Sequence, residues 1–406
     1  MNCALSRISR YLLAPIATIC LLSGPANAAG FEVKIGILTD MSSVFADLVG
    51  PGSVLAAQMA IDDFIATEQP NFKITLVSAD HQSKADVATA TARRWMEWEG
   101  VDMVADIAGA SVSLAVSKLA PTMNKLVIAT ASGQNSLSQE DCQVNLIQWT
   151  YNTYATSRIT ADIVTRQGHK SWYFVTADYA GGRSVRDDAK IGIVDAGGKL
   201  LGESLHPFGT NDFSSFLLKA QGSGADVIAF ASAGADTVNS IKQAVEFGLN
   251  KSMVMVGALA FIGDINALGL QTAQGMYLTN AFYWDRTEAT RAWSKRFFEK
   301  RNMMPTMAHA GLYSAVSHYL RAVKAAGTDD TAAVLAKMRE LPVHDMFAEN
   351  GTLREDGMMT HDMYVWQVKS PAESKYPWDY LKLVKVVPAA VAFHPLSESK
   401  CPFVAR

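Results

Sequence analysis

Cysteine is scarce in this 406-residue chain, and charge is neither abundant nor one-sided. Lysine and arginine total 36 against 39 aspartates and glutamates, so the formal net charge is −3 and no general attraction to nucleic acid or anionic lipid is expected. Apolar residues make up 49%, too many for a disordered chain, and no segment reads as a membrane-spanning helix. The length is large for one hydrophobic core and predicts two domains.

Familiar catalytic and cofactor signatures are also missing. The sequence has no G-x-x-x-x-G-K-[ST] phosphate loop, no G-x-G-x-x-G after a strand, no G-x-S-x-G, no H-E-x-x-H and no Cys/His cluster with zinc spacing. Asp80-His81 is the best acid/base candidate because it follows a predicted strand. We interpret Asp80 as an acceptor for backbone N–H groups at a turn, and His81 as solvated. We therefore predict no catalytic residue, cofactor or metal, and keep an exported enzyme acting on a small acid as an alternative.

The N-terminus has the pattern of a secretory signal. Arg7 and Arg10 precede the apolar stretch 11–22, and Ala26-Asn27-Ala28 fits a small-x-small cleavage site. We predict that residues 1–28 are a signal peptide, cut after Ala28, and that the protein is exported. The apolar stretch is too short to span a bilayer comfortably, which argues against a membrane anchor.

Two of the four cysteines remain after this cleavage. Cys142 and Cys401 form an even count in an oxidising compartment, so we predict that they pair. The alternative is two unrelated buried thiols. If the bond forms, the C-terminus lies beside the segment near residue 142, and the long closed loop stabilises the fold by about 4 kcal/mol or more.

The first third of the mature chain alternates strands with amphipathic helices. Short Val/Ile/Leu-rich runs end in small or polar residues, which predicts a mostly parallel sheet covered on both faces. The predicted strands are Val33–Leu38, Phe72–Val77, Val101–Ile107 and Leu126–Ala129, and the predicted helices are Ser53–Ala66 and Ala85–Glu99.

The same pattern then restarts. Four short strand-like segments begin at Lys34, Lys73, Val101 and Lys125. Segments of similar sequence begin at Lys170, Lys199, Ala225 and Lys251, at offsets of 136, 126, 124 and 126 residues. Near-constant offsets indicate two similar doubly wound units in tandem, although generic α/β strands also match by chance.

The last third reads differently. Glu288–Lys300, Ala308–Ala326 and Asp330–Glu340 are predicted helices, residues 353–357 a strand running into an Asp-Gly turn, and Met363–Val368 a further strand. These elements must pack onto one or both units.

Four predicted strand ends carry hydroxyls, glycines and aromatics. Ligands of open α/β sheets bind beyond the carboxyl ends of the strands, and helix N-termini there suit a carboxylate. Ordinary N-capping by Ser111 and Ser132 is the competing interpretation, and both can hold together. The four segments are Thr39–Phe45, Gly109–Ser113, Thr130–Ser136 and Ala177–Arg183.

These segments resemble one family. KIGILTDMSSVFADLVGPGSVLAAQMAIDDF, VSADHQSKADVATA, IAGASVSLAV, VIATASGQNS and TADYAGGRSV, in this order, are similar to type I periplasmic solute-binding proteins of ATP-driven (ABC) importers, in the leucine/isoleucine/valine-binding branch. The resemblance implies an α/β fold of two doubly wound, Rossmann-like lobes joined by a three-crossover hinge. Crossings are expected near 148–150, 282–286 and 352–360, with lobe 1 formed by 29–148 plus 286–352 and lobe 2 by 149–285 plus 353–406.

The resemblance also implies a ligand site in the cleft between the lobes. Phe45 falls where the family places an aromatic over the ligand, Ser111 and the Ser132–Gln134 stretch where it binds a carboxylate, and Tyr179 on its second-lobe aromatic. Two arginines, Arg158 and Arg183, are possible carboxylate partners. The full predicted set is Ser43, Val44, Phe45, Ala110, Ser111, Val112, Ser132, Gly133, Gln134, Tyr154, Tyr179, Leu259 and Phe282.

One departure from the family pattern concerns the ligand. Amino-acid binders of this branch use an acidic residue in a G-x-E turn to pair with the ligand ammonium, and here Leu259 stands in that place. A buried ammonium without a partner is costly, so an aromatic or apolar acid is expected instead. MYVWQVKSPAESKYPWDY is similar to a subgroup that includes aromatic-acid binders.

The resemblance also implies a mechanism. We expect a monomer that closes on its ligand and delivers it to a membrane permease. The alternatives are that the protein binds amino acids, or that it senses its ligand together with a receptor.

Overall fold

The computed structural model describes Met1 and residues 30–404. The predicted signal peptide and its cleavage site lie outside the described residues, apart from Met1. Phe31–Arg406 forms one compact unit. Among the described residues, no helix combines the length and the apolarity needed to cross a membrane.

The first sheet has five parallel strands in the order β2-β1-β3-β4-β5. The strands are β1 Glu32–Thr39, β2 Lys73–Asp80, β3 Met103–Asp106, β4 Leu126–Ala129 and β5 Leu146–Gln148. The helices between them are α1 Gly50–Glu68, α2 Ala85–Glu97, α3 Ala110–Ser117 and α4 Leu119–Met123. All residues of β3, β4 and β5 are buried, as expected for strands covered on both faces.

The second sheet repeats this arrangement and then extends it. Its parallel strands lie in the order β7-β6-β8-β9-β10, and two later antiparallel strands extend it beyond β10. The parallel strands are β6 Ser171–Ala177, β7 Lys199–His206, β8 Val227–Ala231, β9 Val254–Gly257 and β10 Tyr277–Asn280. The helices of this part are α5 Ile159–Arg166, preceded by a π-helical turn Tyr154–Arg158, α6 Ala180–Asp195, α7 Ser214–Gly222, α8 Ala235–Glu246, α9 Ile262–Leu268 and α10 Leu270–Ala273.

The order of the strands confirms the tandem repeat inferred from the sequence. The four repeated segments of the first unit fall on β1, β2, β3 and β4. Their counterparts fall on β6, β7 and β8, and the one beginning at Lys251 falls on the turn that leads into β9. Both sets are arranged with the second strand at the edge and the first strand beside the third. The offsets therefore mark equivalent strands of two doubly wound lobes.

The predicted helices of the last third are α11 Glu288–Arg301, α12 Met307–Ala326 and α13 Thr331–Glu340. Helix α12 packs on α1. From α11, the Arg296 guanidinium donates to both carboxylate oxygens of Asp63 in α1, at 2.7 and 3.0 Å. A small hairpin, β11 Thr352–Leu353 and β12 Met359–Thr360, turns at Asp356-Gly357, and Gly357 has φ +77°. The antiparallel strands β13 Met363–Val368 and β14 Leu381–Val387 complete the second sheet, followed by α14 Ala389–Ala392.

Three segments connect the two lobes. The chain leaves β5 through residues 149–153, leaves β10 through residues 281–287, and passes from β12 to β13. The first and third run side by side, because Gln148 N–H donates to Gly357 O at 2.9 Å and a ring nitrogen of His361 lies 2.9 Å from Thr150 O. This is the three-crossover hinge that the resemblance implied.

The C-terminal tail returns to the first sheet. Cys142 and Cys401 form a disulfide, so the predicted pairing is confirmed and the alternative of two separate thiols is wrong. The Lys400 N–H also donates to Gln139 Oε1 at 3.0 Å. The tail therefore ties the end of the chain to the segment before β5. The exact boundaries proposed for the two lobes stay a prediction.

Candidate ligand-binding cleft

The loop after β1 forms the first wall of the cleft. The Asp40 carboxylate accepts hydrogen bonds from Ser43 N–H at 2.9 Å and from the Ser83 hydroxyl at 2.7 Å, which folds the loop back on itself. Burial alone would raise the pKa of Asp40, but these donors outweigh it and hold the pKa below its ordinary value. Asp40 is thus a fixed anion whose bonds place the Phe45 ring, which is only 5% exposed, over the cleft.

Asp80 and His81 support this wall. Asp80 accepts from Met41 N–H at 2.9 Å and from Gln82 N–H at 2.8 Å, as the sequence interpretation expected of a turn aspartate. The expectation that His81 is solvated is wrong, because its side chain is fully buried and burial lowers its pKa. His81 Nδ1 accepts from Ser83 N–H at 3.0 Å within the loop after β2, and the His81 backbone N–H donates to Thr39 O at 2.8 Å, which joins this loop to the end of β1.

Helix α12 holds the far end of the same loop. Thr306 Oγ1 donates to Leu48 O, and His309 Nε2 lies 2.9 Å from Val49 O. Burial lowers the pKa of His309 to about 4, so the ring is neutral near pH 7. Because His309 Nδ1 accepts from Thr306 N–H, the proton of the neutral ring is on Nε2 and is donated to Val49. These bonds fix Leu48 in the wall of the cleft.

The backbone after β3 is unusual and turns the start of α3 toward the cleft. Asp106 and Ile107 have φ of +82° and +47°, a region that non-glycine residues rarely adopt. Gly109 follows with φ +89°, and a Cβ there would lie 3.1 Å from the Phe45 ring. The Asp106 side chain is fully buried, and burial raises its pKa to about 6.

The loop after β4 forms the floor. Gln148 Nε2 donates to Ser132 O at 3.0 Å and to Gln134 O at 3.1 Å, which shapes the loop from beneath. The Ser113 and Ser132 hydroxyls lie 2.8 Å apart. Gly133 approaches Tyr151 so closely that a Cβ there would lie 2.5 Å from the ring.

The second lobe contributes the opposite wall. Tyr179 precedes α6, and Thr153 is the last residue of the first connecting segment, where its N–H donates to Gly133 O at 2.8 Å. The Thr153 hydroxyl donates to Asp188 at 2.6 Å, and burial raises the pKa of this aspartate to about 6. Backbone and side-chain bonds therefore join the two walls at the hinge side of the cleft.

These walls enclose a small space, here called the inner cavity, of about 30 Å³. That volume accommodates about two water molecules. Its lining residues are Phe45, Leu48, Gly109, Ala110, Ala131, Ser132, Gly133, Gln134, Tyr151, Thr153, Tyr179, Gly181, Ala233 and Leu259.

Two further spaces adjoin the inner cavity. The outer groove, of about 390 Å³, is lined by Phe45, Ser83, Ala108, Gly109, Ala110, Ser111, Val112, Leu114, Tyr179, Ala180 and Phe208. The acidic recess, of about 230 Å³, is lined by Ser43, Val44, Asp47, Leu48, Gly234, Ala235, Val238, Asn239, Phe261, Gly263, Asp264, Ala267 and Thr306. Asp264 accepts from Phe261 N–H at 2.8 Å, and burial, with Asp47 nearby, raises its pKa to about 7.

No residue lining the inner cavity or the outer groove carries a charged side chain. Two helix N-termini, of α3 and α6, reach the inner cavity from opposite lobes through Ala110 and Gly181. Within the described chain, neither the Tyr151 nor the Tyr179 hydroxyl has a hydrogen-bond partner, and burial raises the pKa of both phenols. An anion in this space could accept hydrogen bonds from backbone N–H groups and un-ionised phenols and would face the positive ends of two helix dipoles.

The structure brings together only part of the predicted site. Seven predicted residues line the inner cavity: Phe45, Ala110, Ser132, Gly133, Gln134, Tyr179 and Leu259. Ser43 and Val44 line the acidic recess, and Ser111 and Val112 line the outer groove.

The remaining four predicted side chains have other partners. Arg158 donates to Val391 O and lies 4.2 Å above the ring of Tyr154, which in turn stacks on His394. Arg183 pairs with Asp178 on the surface. Phe282 packs edge-on against Trp293 in the core, with centroids 5.9 Å apart. None of the four lines the inner cavity.

Several lining residues were missing from the predicted set. Tyr151 and Thr153 lie in the first connecting segment, and the packing of this segment on Gly133 brings both to the cavity. Leu48 and Ala233 are ordinary apolar residues in loops.

Comparisons with known proteins agree with this architecture. The family model described as periplasmic binding protein matches residues 32–375. A periplasmic binding protein from Burkholderia mallei has 42% sequence identity over 92% of this chain and 99% of its own, with a TM-score of 0.88. A branched chain amino acid ABC transporter periplasmic ligand-binding protein from Burkholderia xenovorans LB400 has 38% identity over 92% and 100%, with a TM-score of 0.81. The Leu/Ile/Val-binding protein homolog 6 of Brucella melitensis is 27% identical over 273 residues, 65% of this chain and 68% of that protein.

Proposed function

Because the chain belongs to the periplasmic binding protein family, we propose that it is the exported solute-binding component of an ABC importer. Its ligand is a small carboxylate-bearing molecule, an aromatic or apolar acid, held between the two lobes. The loaded protein delivers this acid to a membrane permease, and the N-terminal segment 1–28 directs export to the periplasm.

The observation that carries the proposal is the absence of any charged side chain from the lining of the inner cavity. Leu259, only 7% exposed, occupies the place where the resemblance expects an acidic partner for an ammonium group. A desolvated ammonium ion beside Leu259 would have no counter-charge there, which costs several kcal/mol. A carboxylate in the same place has the N-termini of α3 and α6 and two phenol hydroxyls as donors.

The aromatic lining favours an apolar or aromatic body for this acid. Phe45 and Tyr179 stand on opposite lobes and both line the inner cavity, and Tyr151 forms part of its wall. Aromatic rings stack on flat ligands and contribute more than their buried area alone. A polar ligand such as a sugar would leave its hydroxyls without partners against these faces.

The small volume of the inner cavity implies that binding involves movement. At about 30 Å³ the cavity has less space than an aromatic ring needs, since a site that binds benzene has about 150 Å³. The three connecting segments are the place where the lobes rotate apart, admit the acid and close on it. The closed surface is then what the permease recognises.

Branched-chain or other amino-acid binding is the second candidate. Asp47 and Asp264 line the acidic recess, which adjoins the inner cavity at Leu48. An amino acid that placed its ammonium group in this recess would find two carboxylates there. The name of the Burkholderia xenovorans relative also fits this alternative.

Thermal unfolding with a panel of ligands separates the two. At a ligand concentration of 100 times the dissociation constant, binding stabilises the fold by about 2.7 kcal/mol, or about 3 °C in Tm for a chain of this length. We expect benzoate-type and arylalkanoic acids to raise Tm and leucine, isoleucine and valine to have no effect. A response to amino acids alone would overturn the proposal, and a chemically altered acid on recovery would favour the enzyme alternative.

The Leu259→Glu variant sharpens this test. A carboxylate at this position repels a bound acid by about 4 kcal/mol at 4 Å and an effective dielectric constant of 20. The neutral Leu259→Gln variant is the matched control, because it has nearly the same size and no charge. We expect the Glu variant to lose the response to acids far more completely than the Gln variant.

A further inference from the structure

The outer groove adjoins the inner cavity. Phe45, Gly109, Ala110 and Tyr179 line both spaces, one on each side of the two aromatic rings. The groove is about 390 Å³ and apolar, whereas the inner cavity is about 30 Å³. The rings of Phe45 and Tyr179 are therefore partitions within one cleft, and a modest rotation of either ring joins the two spaces.

A third ring covers the groove from the second lobe. The Phe208 ring lies 5.9 Å from Phe45 and 5.3 Å from Tyr179, the latter edge-on. Phe208 is 42% exposed, yet its loop is held in place, because the Gly209 N–H donates to Asp236 at 3.0 Å. An exposed aromatic side chain that reaches from the β7 loop to the β1 loop closes one end of the groove.

The charges of the two flanking spaces differ. The acidic recess is lined by Asp47 and Asp264, but the lining of the outer groove contains no charged side chain and only serine and tyrosine hydroxyls. An acid whose carboxylate lies at the helix N-termini is repelled from the recess. Its apolar body finds a matching surface in the groove.

We propose that the outer groove is a subsite for an apolar extension of the transported acid, with Phe208 as a specificity-determining residue. The ligand class that binds most tightly is then an aromatic carboxylate bearing an alkyl or aryl substituent, or an arylalkanoic acid, with unsubstituted benzoate binding more weakly. This inference rests on the proposed function. The carboxylate binds in the inner cavity, the ring lies between Phe45 and Tyr179, and the extension lies under Phe208.

Calorimetric titration with benzoate and its 4-methyl, 4-ethyl, 4-propyl and 4-butyl derivatives tests the subsite. Each methylene buried in the groove is expected to tighten binding about three- to fourfold. The Phe208→Ala variant should reduce this gain per methylene. The Ala180→Phe variant, which fills the groove from the exposed first residue of α6, should lower the ratio of butyl to benzoate affinity at least tenfold.

The control is Leu218→Ala, at an exposed residue of α7 outside all three spaces. This variant should keep the wild-type dependence of affinity on alkyl chain length. If the acids bind but their affinity does not depend on chain length, or if Phe208→Ala leaves the series unchanged, the subsite is wrong and the proposed function stands. If no acid of the series binds, the proposed function fails. Melting temperatures of all variants, measured without ligand, identify any loss of folding.

Discussion

Replacing Asp106 by asparagine tests the energetics of the cleft wall. Asp106 is fully buried with φ +82°, and its pKa is raised to about 6 from an ordinary value of 3.8. One carboxylate oxygen has no partner among the described residues, and the other accepts from the Thr130 hydroxyl at 3.2 Å. Asparagine has the same shape and tolerates positive φ, so Asp106→Asn removes the charge with little change in geometry.

The direction in which the stability contribution of Asp106 changes with pH follows from proton linkage. Between pH 4 and pH 6 the folded protein keeps a proton on Asp106 that the unfolded chain has lost, so stability from this group falls as pH rises. Above pH 6 the ionised carboxylate costs about 3 kcal/mol, since each pKa unit corresponds to about 1.4 kcal/mol. The Asn variant is therefore expected to be more stable than the wild type by about 3 kcal/mol at pH 7.5 and nearly equal to it below pH 4.

Urea unfolding of ligand-free protein at pH 4, 5, 6 and 7.5 measures this difference. The Asp86→Asn variant, at an exposed aspartate, is the control. The difference between its free energy of unfolding and that of the wild type should change little between pH 4 and pH 7.5. A pH-independent gain for Asp106→Asn would mean that shape or hydrogen bonding, and not the charge, determines the effect. A loss of stability at pH 7.5 would refute the argument.

Two further changes test other parts of the structure. Cys401→Ser opens a loop that spans 259 residues, so we expect the free energy of unfolding to fall by up to about 5 kcal/mol under non-reducing conditions. If the variant were as stable as the oxidised wild type, the loop-entropy account would be wrong. Gly133→Ala places a Cβ about 2.5 Å from the Tyr151 ring and should displace it into the inner cavity, which abolishes the ligand-induced rise in Tm. A Gly133→Ala variant that keeps the full ligand-induced rise in Tm would contradict this account.

Many of the strands were predictable because strand formation depends on local apolar patterns. Leu126–Ala129 and Met363–Val368 have the predicted bounds, and Ala85 is the first residue of α2 as predicted. The tandem offsets anticipated which strands of the two sheets are equivalent, since both lobes repeat the same strand-helix units. Element ends shifted by a few residues where caps and turns, and not apolar periodicity, decide them.

The site was predictable only in part, because a lining residue is defined by what faces it across the cleft. Phe45 and Tyr179 follow strands whose ends are recognisable in the sequence, and both line the inner cavity. Tyr151 lies in the first connecting segment, and only the packing of that segment on Gly133 brings it there. Arg158 has the charge for a carboxylate, but the C-terminal segment supplies its acceptor at Val391, a contact 233 residues away in sequence.

The central claim is that the cleft holds an anion with an apolar body, and a crystal structure of the protein with a bound acid tests it most directly. The account predicts the carboxylate at the N-termini of α3 and α6 and the ring between Phe45 and Tyr179. Density for a ligand elsewhere, or for an ammonium group on Asp47 or Asp264, would contradict it.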